Sequence, residues 1–204
     1  MNLPNKLSTI RILAVPFVVL LMVPIFANCP AFAGWNTFVE GPIASWGALI
    51  LFVLAALTDF IDGRIARGRH LITDLGKFLD TVADKLLILS VLAVYVQKGR
   101  IHSFLFAIIM ARELMVTALR SIAAAKGLVL AAKPVGKWKM GFQCFAIVFL
   151  MLEDIVLVGA RGTQPVMPGW MRVPADICLA VSVVLSIFSA YDYIWNNRQV
   201  FKDN

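Results

Sequence analysis

Four aspartates lie in two closely spaced pairs inside long apolar stretches of the chain. Asp59 and Asp62 belong to one stretch, and Asp80 and Asp84 belong to the next. A carboxylate inside a membrane helix costs roughly 2.5–3.5 kcal/mol on the scale from insertion experiments, so four of them need a compensating partner. Hard divalent cations prefer oxygen ligands of this kind. The pattern therefore predicts a site for Mg²⁺ or Mn²⁺.

Small and basic residues at fixed distances complete this pattern. The string reads Asp59-x-x-Asp62-Gly63-x-x-Ala66-Arg67, then eight residues, then Gly76-x-x-x-Asp80-x-x-x-Asp84. Each fixed residue type has a frequency of a few per cent in proteins, so the probability that the whole string arises by chance is about 10⁻¹⁰ per starting position. We therefore interpret the string as one functional site.

Helix geometry places each aspartate pair on one face. Because an α-helix turns 100° per residue, positions i, i+3, i+4 and i+7 share a face. Gly63 and Ala66 then leave room for a nucleotide or phosphate, Gly76 allows close helix packing, and Arg67 can meet phosphate charge. Two divalent cations would neutralise the four carboxylates and could clamp a diphosphate between them.

Composition predicts a membrane protein. The chain has 204 residues, of which 60% are hydrophobic, and its mean hydropathy is +0.84. This length allows about six spans, each of roughly 20 residues. We expect spans near residues 12–27, 43–66, 74–96, 103–125, 135–158 and 175–195. The expected fold is one all-α membrane domain over residues 1–204 with six transmembrane helices and an amphipathic juxtamembrane segment around residues 4–11.

The basic residues predict an orientation. Of the 19 Lys and Arg residues, four (Lys98, Arg100, Arg161 and Arg172) fall on the side opposite the N-terminus, which leaves 15 on the N-terminal side. The positive-inside rule then places both termini and the aspartates on the cytoplasmic side of the membrane. A net charge of +7 fits anionic lipids and phosphate substrates better than nucleic acid in so apolar a chain.

The first apolar run has a second interpretation. Ala31-Phe32-Ala33 has the small-residue pattern that follows a signal peptide. The long segment that precedes the run favours its retention as the first span. The three cysteines, Cys29, Cys144 and Cys178, are far apart and predict neither a zinc site nor a redox pair.

The aspartate string resembles the motif of the CDP-alcohol phosphotransferases. This resemblance implies a homodimeric six-helix membrane enzyme that transfers a phosphatidyl or similar phosphoryl unit from a CDP-linked donor to an alcohol and releases CMP. It implies that the first three aspartates are metal ligands and that Asp84 is both the general base for the acceptor's hydroxyl and a metal neighbour. Residues implied to contact the donor, CDP-diacylglycerol, are Asp62, Gly63, Ala66, Arg67 and Gly76.

Three further segments resemble the members of this family whose acceptor is sn-glycerol 3-phosphate. They are Asn2-Leu3-Pro4-Asn5-x-Leu7-Ser8-x-x-Arg11, Ala111-Arg112-Glu113-Leu114 running into Leu119-Arg120, and Gly136-Lys137-x-Lys139 followed by Gln143. The implied products are phosphatidylglycerol phosphate and CMP. Arg112 and Arg120 are eight residues apart on one helix face, and an acceptor phosphate would compensate both charges. Lys137 and Lys139 start the next helix and are expected to join this pocket.

Other interpretations of these residues remain open. Inositol phosphate also carries a phosphate, Arg112 could instead pair with Glu113 or an aspartate, and the lysines could be ordinary loop residues. Paired carboxylates also occur in cation transporters, although the chain shows no internal repeat. The acids outside the motif are interpreted as interfacial or helix-pairing residues, and these are Glu153, Asp154, Asp176 and Asp192.

Overall fold

The helices occupy nearly all of the chain that the structure describes. The structure, a computed structural model, describes residues 3–26, 29–69, 74–125, 134–159 and 169–196, without the side chains of 3–7, 59–80, 125, 134–135, 137, 171 and 196. Within these ranges the regular elements are all helical. They are α1 (Leu3–Leu20), α2 (Ala33–Val39), α3 (Pro42–Arg69), α4 (Asp74–Gln97), α5 (Ser103–Ala125), α6 (Pro134–Gly159) and α7 (Gly169–Asn196), with a 3₁₀ turn at Pro30–Phe32.

The observed helix bounds follow the expected apolar stretches closely from α3 to α6. The expected stretch 103–125 coincides with α5, and 135–158 lies within α6. The last helix differs most, because α7 begins at Gly169 rather than near residue 175. Its first turns include Trp170 and Arg172, which lowered the apolar signal there without preventing helix formation.

The expected amphipathic segment around residues 4–11 is not a short helix of its own in the described structure. One continuous helix, α1, runs from Leu3 to Leu20. Its buried face follows helical spacing and consists of Ser8, Arg11, Val15 and Val18. Packing against the other helices therefore holds Ser8 and Arg11 inside the bundle.

The bundle packs as interlocked helix pairs. α1 lies against α4 and α3, α3 contacts α6, and α7 packs along α6 and against α5. The shared core includes Val91, Leu92, Ile109, Ile147 and Leu150, each nearly inaccessible to solvent. Many large apolar side chains point outward instead, among them Phe17, Ile50, Leu54, Phe145 and Ile187. An exposed apolar surface of this extent is typical of contact with a membrane.

Two of the described helices are long and apolar enough to cross a membrane. These are Trp138–Gly159 of α6 and Arg172–Trp195 of α7, and a third span arises if Pro30–Val39 and Pro42–Thr58, which meet at 67°, are taken together. The sequence-based expectation was six. The polar residues that carry the candidate site explain part of this difference, because α5 alone contains Arg112, Glu113 and Arg120.

Ion pairs tie α6 and α7 to the connection between α4 and α5. Glu153 accepts hydrogen bonds from Arg100 Nε at 3.0 Å and Arg172 Nε at 3.2 Å, and Asp154 Oδ2 lies 2.6 Å from Lys98 Nζ. Burial lowers the pKa of Arg100, but its hydrogen bonds to Asp176 and Glu153 outweigh burial and raise that pKa overall. The expectation that these acids pair helices is confirmed for Glu153, Asp154 and Asp176.

Candidate functional site

The aspartate motif lies on two helices that touch each other. α3 continues without a break through Asp59 and Asp62 to Arg69, and α4 runs from Asp74 through Asp80 and Asp84. α3 and α4 are in contact. The backbone therefore has the helical spacing that the motif requires. The structure does not describe the side chains of residues 59–80, which include Asp59, Asp62, Ala66, Arg67 and Asp80, or the surroundings of Gly63 and Gly76. That these motif residues converge on one site therefore stays a prediction.

Asp84 is the motif aspartate whose side chain the structure describes. Its Oδ1 accepts a hydrogen bond from Arg11 Nη1 at 2.6 Å, and this ion pair joins α1 to α4. The Arg11 side chain is 1% exposed and that of Asp84 is 23% exposed. Sequence reasoning gave Arg11 no role beyond a motif position. Its place one turn after Ser8 on a helix face was the available signal, but the partner is 73 residues away.

Lys85 extends the site from α4 to α5. Its ammonium group donates a hydrogen bond to Thr117 Oγ1. Thr117 in turn donates its own hydroxyl proton to the Glu113 carbonyl at 2.6 Å, which leaves the oxygen lone pairs turned toward Lys85. The residue next to Asp84 is thus fixed to the helix face that carries Glu113 and Arg120. Sequence analysis did not place Lys85 or Thr117 in the acceptor pocket.

Glu113 is the counter-ion at the centre of this face. It forms an ion pair with the buried Lys139 of α6, and both its carboxylate oxygens lie 3.4 Å from Arg112 Nη1. Arg112 Nη2 donates to Ser189 Oγ of α7 at 2.7 Å. The open alternative in which Arg112 pairs with Glu113 is therefore present in the structure. This pairing holds the guanidinium in place and neutralises only part of the surrounding positive charge.

The start of α6 closes over Arg112. A Cβ atom built at Gly136 would lie 3.7 Å from Arg112 Nη2, so the glycine backbone passes close to the guanidinium. Lys139 follows on the same face and is 2% exposed, as is Gln143 one turn further on. Sequence analysis expected Lys139 to join Arg112 in an acceptor pocket; the structure places Lys139 against Glu113, the neighbour of Arg112, and its role toward the acceptor stays a prediction. The side chain of Lys137 lies outside the described part.

Arg120 lies at the edge of the site. It is exposed rather than deep in the helix packing, which corrects the expectation that its charge requires compensation within the apolar interior. Its Nε donates to the Tyr193 hydroxyl at 3.3 Å, and its guanidinium carbon lies 5.7 Å from the centre of the Tyr193 ring. Such a distance permits a cation–π interaction. α7 therefore contacts both arginines of α5, a contribution that sequence reasoning missed.

Positive charge exceeds negative charge among these side chains. We call Lys85, Arg112, Arg120 and Lys139 the basic pocket. Arg112 and Lys139 share the counter-ion Glu113, and Lys85 bonds to Thr117 on the same helix as Arg112 and Arg120. Among the described carboxylates, Glu113 contacts two members and Asp84 attracts Lys85. A pocket with this surplus of cations next to Asp84 is suited to an anion.

The motif fits a divalent cation by the chemistry of its donors. All four motif ligands are carboxylates, which suit Mg²⁺ or Mn²⁺. The described one, Asp84, keeps a partly exposed carboxylate on α4. The side chains that the structure describes contain no cluster of three His, Cys, Asp or Glu residues, because three of the four motif aspartates fall outside them.

A cavity of about 330 Å³ lies away from the motif. Its lining includes Tyr95, Lys98 and Asp154, together with Met22 and Leu157. Lys98 directly follows the end of α4 and is 14 residues from Asp84 in sequence. At the rise of an α-helix, this separation corresponds to a distance of about 20 Å. This cavity therefore belongs to the end of the bundle that carries the Glu153 ion pairs, and it does not contribute to the basic pocket.

Comparison with known proteins gives concordant matches over almost the whole chain. The model of the CDP-alcohol phosphatidyltransferase family matches residues 1–191. The chain is 33% identical to the CDP-diacylglycerol–glycerol-3-phosphate 3-phosphatidyltransferase of Bacillus subtilis, covering 98% of this chain and 97% of that protein. Proteins of the same name from Rickettsia bellii and Rickettsia typhi are 32% and 30% identical. The match to the Rickettsia bellii protein covers 98% of this chain and 97% of that protein. The match to the Rickettsia typhi protein covers 94% of each.

Proposed function

The chain belongs to the CDP-alcohol phosphatidyltransferase family, and from this premise we propose that its acceptor is sn-glycerol 3-phosphate. The enzyme transfers the phosphatidyl group of CDP-diacylglycerol to this acceptor and forms phosphatidylglycerol phosphate and CMP. The names of the relatives and the complete aspartate motif support this assignment. The observation that carries it is the basic pocket beside Asp84, because a phosphate-bearing alcohol places its anion there and its hydroxyl at a carboxylate.

Each residue of the site has a distinct role in this reaction. Asp84 accepts the proton of the 1-hydroxyl as that oxygen bonds to the β-phosphorus of the donor, and the bond from this phosphorus to CMP breaks. The basic pocket holds the acceptor's phosphate through charged hydrogen bonds. Asp59, Asp62 and Asp80 would hold divalent cations, with Asp84 as a neighbour, and the cations would neutralise the diphosphate charge.

The donor is proposed to lie along α3 and the start of α4. Asp62, Gly63, Ala66, Arg67 and Gly76 are the motif positions that would contact the CDP moiety. The small residues leave space beside the helix backbone, and Arg67 supplies a forked donor for phosphate oxygens. The acyl chains then remain in the bilayer, alongside the outward apolar side chains described above. A homodimer is proposed on the family resemblance alone.

The proposed topology has six spans with both termini and the site on the cytoplasmic side of a bacterial inner membrane. The basic residues on the N-terminal side and the exposed apolar side chains of the helices support it. The cytoplasmic side is also where a water-soluble glycerol phosphate is available to the pocket.

Labelling of single cysteines tests this topology. In a variant with serine at positions 29, 144 and 178, we expect Asn2→Cys to react with an impermeant maleimide only from the cytoplasmic side. Thr37→Cys, on α2, should react only from outside. Intact-mass measurement should show that residues 1–33 are retained. The opposite labelling pattern would place the basic pocket away from cytoplasmic substrate and overturn the proposed orientation.

A panel of acceptors tests the proposed reaction. The purified protein in detergent receives CDP-diacylglycerol, Mg²⁺ and radiolabelled sn-glycerol 3-phosphate, inositol 1-phosphate, serine or choline, and CMP release is measured. We expect turnover of glycerol 3-phosphate at a rate at least ten times that with serine or choline, because these lack a phosphate for the basic pocket. Preference for inositol 1-phosphate would retain the pocket and change the acceptor. Turnover of serine or choline alone would refute the proposal.

A further inference from the structure

Two buried polar residues of α7 face the arginines of α5. Ser189 and Tyr193 are one helical turn apart and are 7% and 3% exposed. Arg112 and Arg120 are two turns apart on the opposing helix, and each donates a hydrogen bond to one of the two hydroxyl groups, at 2.7 Å and 3.3 Å. α7 thus presents two matched hydrogen-bond acceptors to two cations, although sequence analysis assigned neither Ser189 nor Tyr193 to the acceptor site.

Neighbouring residues on α7 show that this pairing is specific to two positions. Ser182 and Ser186 are also buried, but their hydroxyls donate to carbonyls of their own helix, at 2.8 Å and 2.7 Å. A serine that bonds its own helix in this way needs no partner elsewhere. Tyr191 is exposed and stacks on Trp195, whereas Tyr193 packs against Val116 and Leu119 of α5.

The bonds made by Arg112 leave its buried Nε available to a ligand. Glu113 and Ser189 take up Nη1 and Nη2, while the buried Nε has no hydrogen-bond partner among the described residues. The same is true of the buried Gln143 Nε2 on α6, the helix that carries Lys139. Buried donors in native structures almost always have partners, so both atoms point to an acceptor group that binds here.

We propose that Ser189 and Tyr193 are positioning residues for the acceptor's phosphate and that α7 forms one wall of the acceptor site. Ser189 fixes the rotation of the Arg112 guanidinium, and Tyr193 fixes that of Arg120 through its hydroxyl and its ring face. The inference rests on the proposed function, because the phosphate of the acceptor is the ligand that these arginines bind. Holding a forked donor in its binding orientation reduces the ordering that the ligand must impose.

Loss of either hydroxyl should affect the acceptor and spare the donor. In the full-length enzyme we expect Ser189→Ala and Tyr193→Phe each to raise the KM for sn-glycerol 3-phosphate about tenfold, since each removes a hydrogen bond to a charged group. The KM for CDP-diacylglycerol should change less than about twofold. Ser189→Thr keeps a hydroxyl and should recover most of the acceptor affinity. Tyr193→Phe retains the ring, so packing against α5 is preserved.

Two variants on the same helix are matched controls. Ser186→Ala and Tyr191→Phe remove the same groups one turn or less away, from residues that do not contact the arginines, and should leave both KM values unchanged. A double variant separates a direct role from an indirect one. If Ser189 acts through Arg112, then adding Ser189→Ala to Arg112→Ala should raise the acceptor KM no further.

Several outcomes would overturn the inference. These are an effect of Ser189→Ala equal to that of Ser186→Ala, an equal rise in both KM values, or full additivity with Arg112→Ala. A thermal-unfolding scan identifies a variant that merely misfolds, and Ser189→Thr then decides the case. If the wild-type enzyme turns over inositol 1-phosphate and not glycerol 3-phosphate, the proposed acceptor is refuted, but the proposed role of α7 is not. The same comparison of KM values with inositol 1-phosphate would still decide the role of α7.

Discussion

Asparagine in place of Asp59, Asp62, Asp80 or Asp84 is expected to lower phosphatidyl transfer at least a hundredfold. The substitution preserves shape but removes a negative charge from the cation site, and at position 84 it also removes the base. Loss of a positioned acid–base group typically costs about 10²–10⁴ in rate. CMP release from each purified variant, measured at saturating concentrations of both substrates, gives the comparison. EDTA should abolish the activity of the wild-type enzyme, and added Mg²⁺ or Mn²⁺ should restore that activity.

The control for these variants is a carboxylate at the other end of the bundle. Asp176→Asn removes the charge of a 56% exposed side chain that pairs with Arg100, and it should retain near wild-type activity. Asp84→Asn also takes the charge partner from the buried Arg11, so its thermal unfolding must be compared with that of the wild type. A folded Asp80→Asn enzyme with full activity, or a wild type fully active in EDTA, would contradict a role for the cations.

Local spacing is what made the helices and the aspartate motif predictable. A residue at i+3 or i+4 shares a helix face with residue i whatever the rest of the fold does, so the stripe that ends at Asp84 needed no tertiary information. The bounds of α5 followed from an apolar stretch that begins after Arg100 and His102 and ends before Lys126-Gly127. The single-helix nature of α1 was missed because burial of Arg11 depends on Asp84, which is remote in sequence.

The walls of the basic pocket could not be found in the same way. Ser189 and Tyr193 stand in an apolar helix and belong to no local pattern that separates them from Ser186 or Tyr191. Their importance comes from the packing of α7 on α5, which brings together residues 77 and 73 positions apart. Glu113 was visible in sequence next to Arg112, but its pairing with Lys139 requires the contact between two separate helices.

Alanine in place of Arg112 is expected to raise the KM for sn-glycerol 3-phosphate about ten- to a hundredfold. A charged hydrogen bond contributes roughly 1.5–3 kcal/mol, and Arg112 is held in a largely buried site where its charge is weakly screened. Arg120→Ala should act in the same direction, at the lower end of this range, since Arg120 is exposed to solvent. In both variants the KM for CDP-diacylglycerol should change little. Steady-state kinetics with each substrate varied in turn separates the two constants.

Two further variants test whether the effect of Arg112→Ala is specific: a conservative substitution at the same position and the loss of an arginine elsewhere in the bundle. Arg112→Lys keeps the charge but loses the forked donor, so its KM should fall between those of the wild type and Arg112→Ala. Arg172→Ala removes an arginine that pairs with Glu153 on the same bundle, and it should leave the acceptor KM unchanged. If Arg112→Ala and Arg172→Ala instead behave alike, the positive charge of Arg112 serves the packing of α5 against α6 and α7. The phosphate would then have to be bound by other cations of the chain.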